Sequence, residues 1–75
     1  MEIARLHIVI EGMVQGVFFR AGTRDESSKL GLTGWVKNCQ DGRVEAVFEG
    51  EIDKIDKIIE WCKKGPPGAE VTNIE

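Results

Sequence analysis

Only two cysteines and no long apolar run occur in this 75-residue chain, and each scarcity excludes a class of protein. Cys39 and Cys62 form no metal-ligand spacing and are too few for a disulfide scaffold, so two free thiols in a reducing cytoplasm are expected. The longest aliphatic run, Ile8-Val9-Ile10, falls far short of a membrane span. No charged-then-apolar leader follows Met1, so secretion is not expected. Basic charge is also in short supply. Ten Lys and Arg against thirteen Asp and Glu leave a formal net charge of -3 and a pI near 5.1. Duplex DNA and anionic lipid need a basic surface, so neither is expected as the main partner. A small anion held in one local positive site stays open. No repeat, low-complexity tract or interdomain linker appears. A 41% hydrophobic content excludes disorder, and the length suits one small domain, residues 1–75.

Alternation locates the first strand. Leu6, Ile8 and Ile10 alternate with Arg5, His7 and Glu11, the period of a half-buried strand, and His7 falls on the solvent side. Gly12-Met13-Val14-Gln15-Gly16 is expected to break it. A weakly amphipathic helix is predicted from Phe19 or Arg20 to Leu30, with Gly31 at its C′ position. Gly22 inside it costs about 1 kcal/mol relative to alanine. Thr33 to Cys39 reads as a second strand, with Trp35 and Val36 as its packing residues. Gln40-Asp41-Gly42 predicts a hairpin turn of the Asp-Gly kind, both turn residues at positive φ. Arg43 to Glu49 is the third strand, with Val44, Ala46 and Phe48 on one face and Gly50 at its end. In a second helix Ile52, Ile55, Ile59 and Cys62 recur at helical spacing beside Ile58. Glu51 and Asp53 in its first turn and Lys63-Lys64 in its last suit the helix dipole. Gly65-Pro66-Pro67-Gly68 stops it, and Val71 and Ile74 open an extended segment. The order β-α-β-β-α-β is the ferredoxin-like split βαβ arrangement, an α+β sandwich with both helices on one face of an antiparallel sheet.

The stretch from Gly12 to Arg20 is the chemically informative one. A glycine-flanked loop running into a helix N-terminus collects backbone N–H groups that no helix carbonyl can take, and with the dipole they make an anion cradle. It is neither the nucleotide P-loop nor the dinucleotide fingerprint, whose residue spacings are absent. On position alone Arg20 is either solvated, paired with Asp25 or Glu26, or a planar fork for two oxygens of a phosphoryl group in the cradle. Asn38, ahead of a turn, is on its own terms better read as a cap than as a catalytic residue.

Gly12-Met13-Val14-Gln15-Gly16-Val17-Phe18-Phe19-Arg20, followed by Leu30-Gly31-Leu32-Thr33-Gly34-Trp35-Val36-Lys37-Asn38, closely resembles the two signature segments of the acylphosphatase family. A looser similarity runs through Gly42-Arg43-Val44-Glu45 and the Gly65-Pro66-Pro67 break to the end. The resemblance implies hydrolysis of acyl phosphates to a carboxylate and phosphate, without metal or cofactor. It implies that Arg20 binds the phosphoryl oxygens and that Asn38 orients the attacking water. Backbone amides of Gln15, Gly16, Val17, Phe18, Phe19 and Arg20 would form the cradle, and Thr23 would support the site. Two positions depart from the family pattern: Gly22, where a larger and often aromatic residue is common, and Cys39, where threonine, serine or glycine is commoner. The family also continues past Ile74 through a full fourth strand and usually a fifth. The C-terminal strands are therefore expected to be truncated, leaving Leu6 to Ile10 with an open edge. From this follows the expectation that the chain is a fragment of a longer protein or self-associates through that edge.

The chemistry agrees with that assignment. An acyl phosphate has a good leaving group, and phosphoryl transfer proceeds mainly by positioning and charge stabilisation, so one arginine, a row of amides and one side-chain amide could suffice. Two other readings compete. One is a phosphoanion-binding module, for instance for carbamoyl phosphate, inside a larger enzyme; the closeness of Met1 to the first strand speaks for a free-standing domain instead. The other is an RNA-binding domain of the same fold, which needs stacking aromatics and a basic open sheet face. The third strand offers Glu45, Val47 and Glu49 there. Cys39 reads as a spectator, and Cys62 and Trp61 as packing residues.

Overall fold

In the computed structural model, which describes residues 2–16 and 18–75, alternation and capping produce six elements. They are β1 (Ile3–Met13), α1 (Phe19–Lys29), β2 (Thr33–Asn38), β3 (Val44–Glu51), α2 (Ile52–Lys64) and β4 (Glu70–Ile74). The strands form one antiparallel sheet in the order β2-β3-β1-β4, so the expected split βαβ topology holds. Both helices cover one face. Ile8 and Ile10 of β1 and Val44, Ala46 and Phe48 of β3 bury there against Phe19 of α1 and Ile55, Ile58 and Cys62 of α2. Burying each of the larger side chains contributes about 1.5–3 kcal/mol, which a domain this small cannot spare.

Helix α1 ends in a Schellman motif. Leu32 N–H donates to the Ser27 carbonyl at 2.9 Å and Gly31 N–H to the Ser28 carbonyl at 3.0 Å, with Gly31 at φ 74. The predicted C′ glycine is in place. Gly22 has a reason beyond propensity: a Cβ there would lie 2.9 Å from Trp61 Cη2. The missing side chain lets Trp61 of α2 settle against α1, where its ring meets Phe19 edge-on at 5.7 Å. The space that a side chain at position 22 would take is occupied by the tryptophan of the facing helix.

Several expectations need correction. β1 does not stop at Gly12; it continues through a bulge between Glu11 and Gly12 to Met13, because β4 pairs with it there. β4 is a formed five-residue strand, with Ile10 opposite Ile74, and Val9 and Glu75 exchange backbone bonds at 3.1 and 2.9 Å. The open edge of β1 therefore narrows from Leu6–Ile10 to the part before Val9. Leu6 is 36% exposed although its alternation with Ile8 and Ile10 puts it on the helix side. β3 runs past Gly50 to Glu51, as Ala4 and Ile3 give those residues partners. The stripe of α2 centres on Ile55, Ile58 and Cys62, leaving Ile52 39% exposed. Trp35 is 43% exposed on the open face, not packed in the core. There it stands edge-on to His7 at 6.3 Å, with Lys37 Nζ 5.4 Å from its ring centroid.

The hairpin between β2 and β3 also differs. Its loop has three residues, closed by Cys39 N–H donating to the Arg43 carbonyl at 2.8 Å, and only Gly42 has positive φ. Asp41 instead turns its carboxylate to Arg43, accepting from the backbone N–H at 3.1 Å and from Nε at 2.7 Å.

Candidate functional site

Two left-handed residues, Gly16 and Phe18, shape the entry to α1. Gly16 has φ 77 and Phe18 has φ 60, ψ 26, and the helix begins at Phe19. Its first turn bonds Gly22 N–H to the Phe18 carbonyl at 2.9 Å. The N–H groups of Phe19 and Arg20 therefore precede any helical carbonyl able to accept them. A left-handed phenylalanine costs about 1–2 kcal/mol, and its ring gains no burial in return, being 83% exposed. Strain of this kind is retained where a loop must aim its backbone. Val17 lies outside the described residues.

This loop, the start of α1 and the end of β2 enclose a cavity of about 120 Å³, lined by Val14, Gly16, Phe18, Phe19, Arg20, Ala21 and Asn38. The structure thus brings Arg20 and Asn38, 18 positions apart in sequence, to one hollow beside the amide loop. Neither the Asp25 nor the Glu26 pairing considered for Arg20 forms; Glu26 pairs with Lys29 at 3.5 Å. The first turn of α1 holds no acid. An unneutralised arginine at a helix N-terminus adds its charge to the positive pole, which makes the hollow suited to an anion.

Gln15 plays a part that its sequence position did not reveal. It does not line the cavity. Its side-chain amide donates to the Cys39 carbonyl at 2.6 Å and to the Arg43 carbonyl at 2.9 Å. These bonds tie the glycine loop to the β2–β3 hairpin immediately after Asn38, bridging the two halves of the hollow. Its partners lie 24 and 28 residues away, and no local pattern announces such a clamp. Thr23 is fully buried and does not line the hollow. Its Oγ1 faces the core, where burial pushes the neighbouring Cys62 thiol up to about 12 while Thr23 draws it slightly down. Cys39 is half-buried and free.

Several charges away from the hollow pair with one another. The Arg43 guanidinium holds the Asp41 carboxyl below its ordinary value, and Asp41 raises Arg43. On the open sheet face Glu45 lies 2.5 Å from His7 and 3.5 Å from Lys37, and His7 first, then Lys37, lowers its carboxyl. Among the described residues no three His, Cys, Asp or Glu side chains gather as metal ligands, and no helix is long and apolar enough to cross a membrane.

The acylphosphatase family model matches residues 6–75. An acylphosphatase of Pelotomaculum thermopropionicum is 52% identical over 75 residues, all of this chain and 82% of that protein. The solved acylphosphatase of Coxiella burnetii superposes with a TM-score of 0.94 at 46% identity, covering 97% of this chain and 77% of that one. A full-length HypF in its phosphate- and nucleotide-bound form matches with a TM-score of 0.89 at 33% identity, covering 99% of this chain and 10% of that much longer one.

Proposed function

The chain belongs to the acylphosphatase family, whose members hydrolyse acyl phosphates, and we propose that Arg20, Asn38 and the amides from Gly16 to Arg20 perform that hydrolysis in it. One observation carries the assignment: Arg20, Asn38 and the left-handed loop meet at one hollow. In this reading the phosphoryl group seats its oxygens on the N–H groups of the loop and on the Arg20 fork, which grips two oxygens at once. The Asn38 side chain holds a water in line with the bond to be broken. As the water oxygen bonds to phosphorus, the bond from phosphorus to the acyl oxygen breaks, and its electron pair leaves on a carboxylate stable without protonation. Charge on the equatorial oxygens is met by donors already in place, so little reorganisation is needed. Gln15 serves the reaction through its side-chain clamp and Thr23 through the packing of α1.

The substrate is then a small acyl phosphate, the products a carboxylate and phosphate, and no metal or cofactor takes part. Hydrolysis of benzoyl phosphate in excess chelator, inhibited competitively by inorganic phosphate, tests this. Absence of turnover, or turnover abolished by the chelator, would refute it. A second reading, a phosphoanion-binding module of a larger enzyme, draws support from the HypF match, where a domain of this shape makes up a tenth of the chain. Phosphate binding without hydrolysis would favour it. The two free thiols support a cytoplasmic location. The unpaired edge of β1 before Val9, bearing Ile3 at 65% exposure, is where two copies would pair; light scattering across a dilution series reads that directly.

A further inference from the structure

A second hollow of about 260 Å³ adjoins the first, between α1 and the edge strand β2, and Arg20 lines both. Arg20, assigned above to the phosphoryl group, is thus the residue that the two hollows share. The larger hollow is not simply greasy. Leu32, Val36 and Phe48 offer an apolar surface, but Arg24 and Ser28 of α1 also line it. Arg24 stands one turn beyond Arg20 on the same helix face. Like charges at that spacing destabilise a helix, and among the described residues neither guanidinium has a carboxylate in ion-pair reach. Among the described residues the other cations of α1 and of the β2–β3 hairpin are matched: Lys29 with Glu26, Lys37 with Glu45 and Arg43 with Asp41. In a chain of net charge -3, leaving two neighbouring arginines unmatched over a hollow favours an anionic occupant. Ser27 is not available to it, because its hydroxyl donates to the Arg24 carbonyl at 3.0 Å; Ser28 is.

We propose that this second hollow is an acyl-group subsite that selects acyl phosphates carrying another acidic group, held by the Arg24 guanidinium. The proposal rests on the hydrolase reading above. Phosphoryl recognition belongs to Arg20 and the loop; Arg24 recognises the far end of the substrate and sets specificity without entering the chemistry. The apolar wall accepts the carbon skeleton between the two anions.

The test compares benzoyl phosphate with 4-carboxybenzoyl phosphate at matched ionic strength, each rate divided by its uncatalysed rate. The wild-type protein is expected to prefer the carboxylated substrate about five- to tenfold in kcat/KM, as a partly exposed charge-assisted hydrogen bond allows. In Arg24→Gln the preference falls to one or below. In Lys29→Gln, which removes an exposed cation of the same helix outside both hollows, it persists. A wild-type ratio of one or less, or a ratio that survives in Arg24→Gln or collapses equally in Lys29→Gln, overturns the subsite. If benzoyl phosphate is still hydrolysed in those cases, only the subsite falls. If neither substrate is hydrolysed, the hydrolase reading falls and the subsite with it.

Discussion

Replacing Gln15 by leucine removes two hydrogen bonds while keeping roughly the same volume. The bonds, 2.6 and 2.9 Å long, end on the carbonyls of Cys39 and Arg43. Both carbonyls keep another donor, since Gly42 N–H reaches the Cys39 carbonyl at 3.3 Å and Cys39 N–H the Arg43 carbonyl at 2.8 Å. Gln15 is exposed, so water can also step in. The loss is therefore the net value of two bonds, about 0.5–1.5 kcal/mol each, and not the larger penalty of buried unpaired groups. A total of about 1–3 kcal/mol lowers the melting temperature of a domain this size by about 4 °C or more. If the clamp fixes Asn38 relative to the loop, much of it also appears in the barrier, where each 1.36 kcal/mol is about tenfold in rate. Gln15→Leu is expected to lower kcat by about 5- to 100-fold, while the inhibition constant of phosphate, set by Arg20 and the amides, changes by about threefold or less. Steady-state kinetics with benzoyl phosphate and phosphate inhibition read both. A kcat within twofold of wild type, or phosphate affinity falling in step with kcat, would show that the clamp does not position Asn38.

Gly22→Ala sets about 1 kcal/mol of helix propensity against a Cβ placed 2.9 and 3.1 Å from the Trp61 ring. Because that ring is held edge-on by Phe19, the clash is expected to win, and a melting temperature above wild type would show that Trp61 yields freely. Cys62, buried and raised to about 12, is expected to resist alkylation at pH 8 while Cys39 reacts, with peptide mass mapping as the readout. The unfolded thiol ionises near 9.0 and the folded one near 12. The Cys62 contribution to stability is thus complete below pH 9 and is lost as pH rises from there to 12, so the melting temperature falls over that window. Cys62→Ala should flatten the fall, and an unchanged slope would refute this origin.

Much of this architecture is written locally. The alternation of Val44, Ala46 and Phe48, the spacing of Ile55, Ile58 and Cys62, and Gly31 at the end of α1 each carry their own element. Boundaries set by pairing were not legible. β1 runs on to Met13 because Glu70 and Val71 lie beside it, and β3 reaches Glu51 because Ile3 does. The exposure of Trp35 and Leu6 depends on what covers each face, and period alone does not state that. At the site, glycines and a cation before a helix mark an anion loop, and the signature resemblance singles out Asn38. The left-handed Phe18, the Gln15 clamp and the Trp61–Gly22 fit depend on tertiary neighbours and leave no mark along the chain.

The proposed reaction is carried by a preorganised arginine and not by a nucleophilic side chain. It is tested most directly by the rate of benzoyl phosphate hydrolysis in chelator for wild type, Arg20→Ala and Arg20→Lys. Arg20 lies at the surface, so both variants should keep the wild-type circular dichroism and melting transition. Loss of one preorganised contact to the transition state costs about 10²–10³ in rate, and Arg20 is assigned at least two. Arg20→Ala is expected to fall at least about a hundredfold, and Arg20→Lys to recover little of it, because an ammonium cannot reproduce the planar fork. A folded Arg20→Ala protein retaining more than about a tenth of the wild-type rate, far above what that loss permits, would contradict the account.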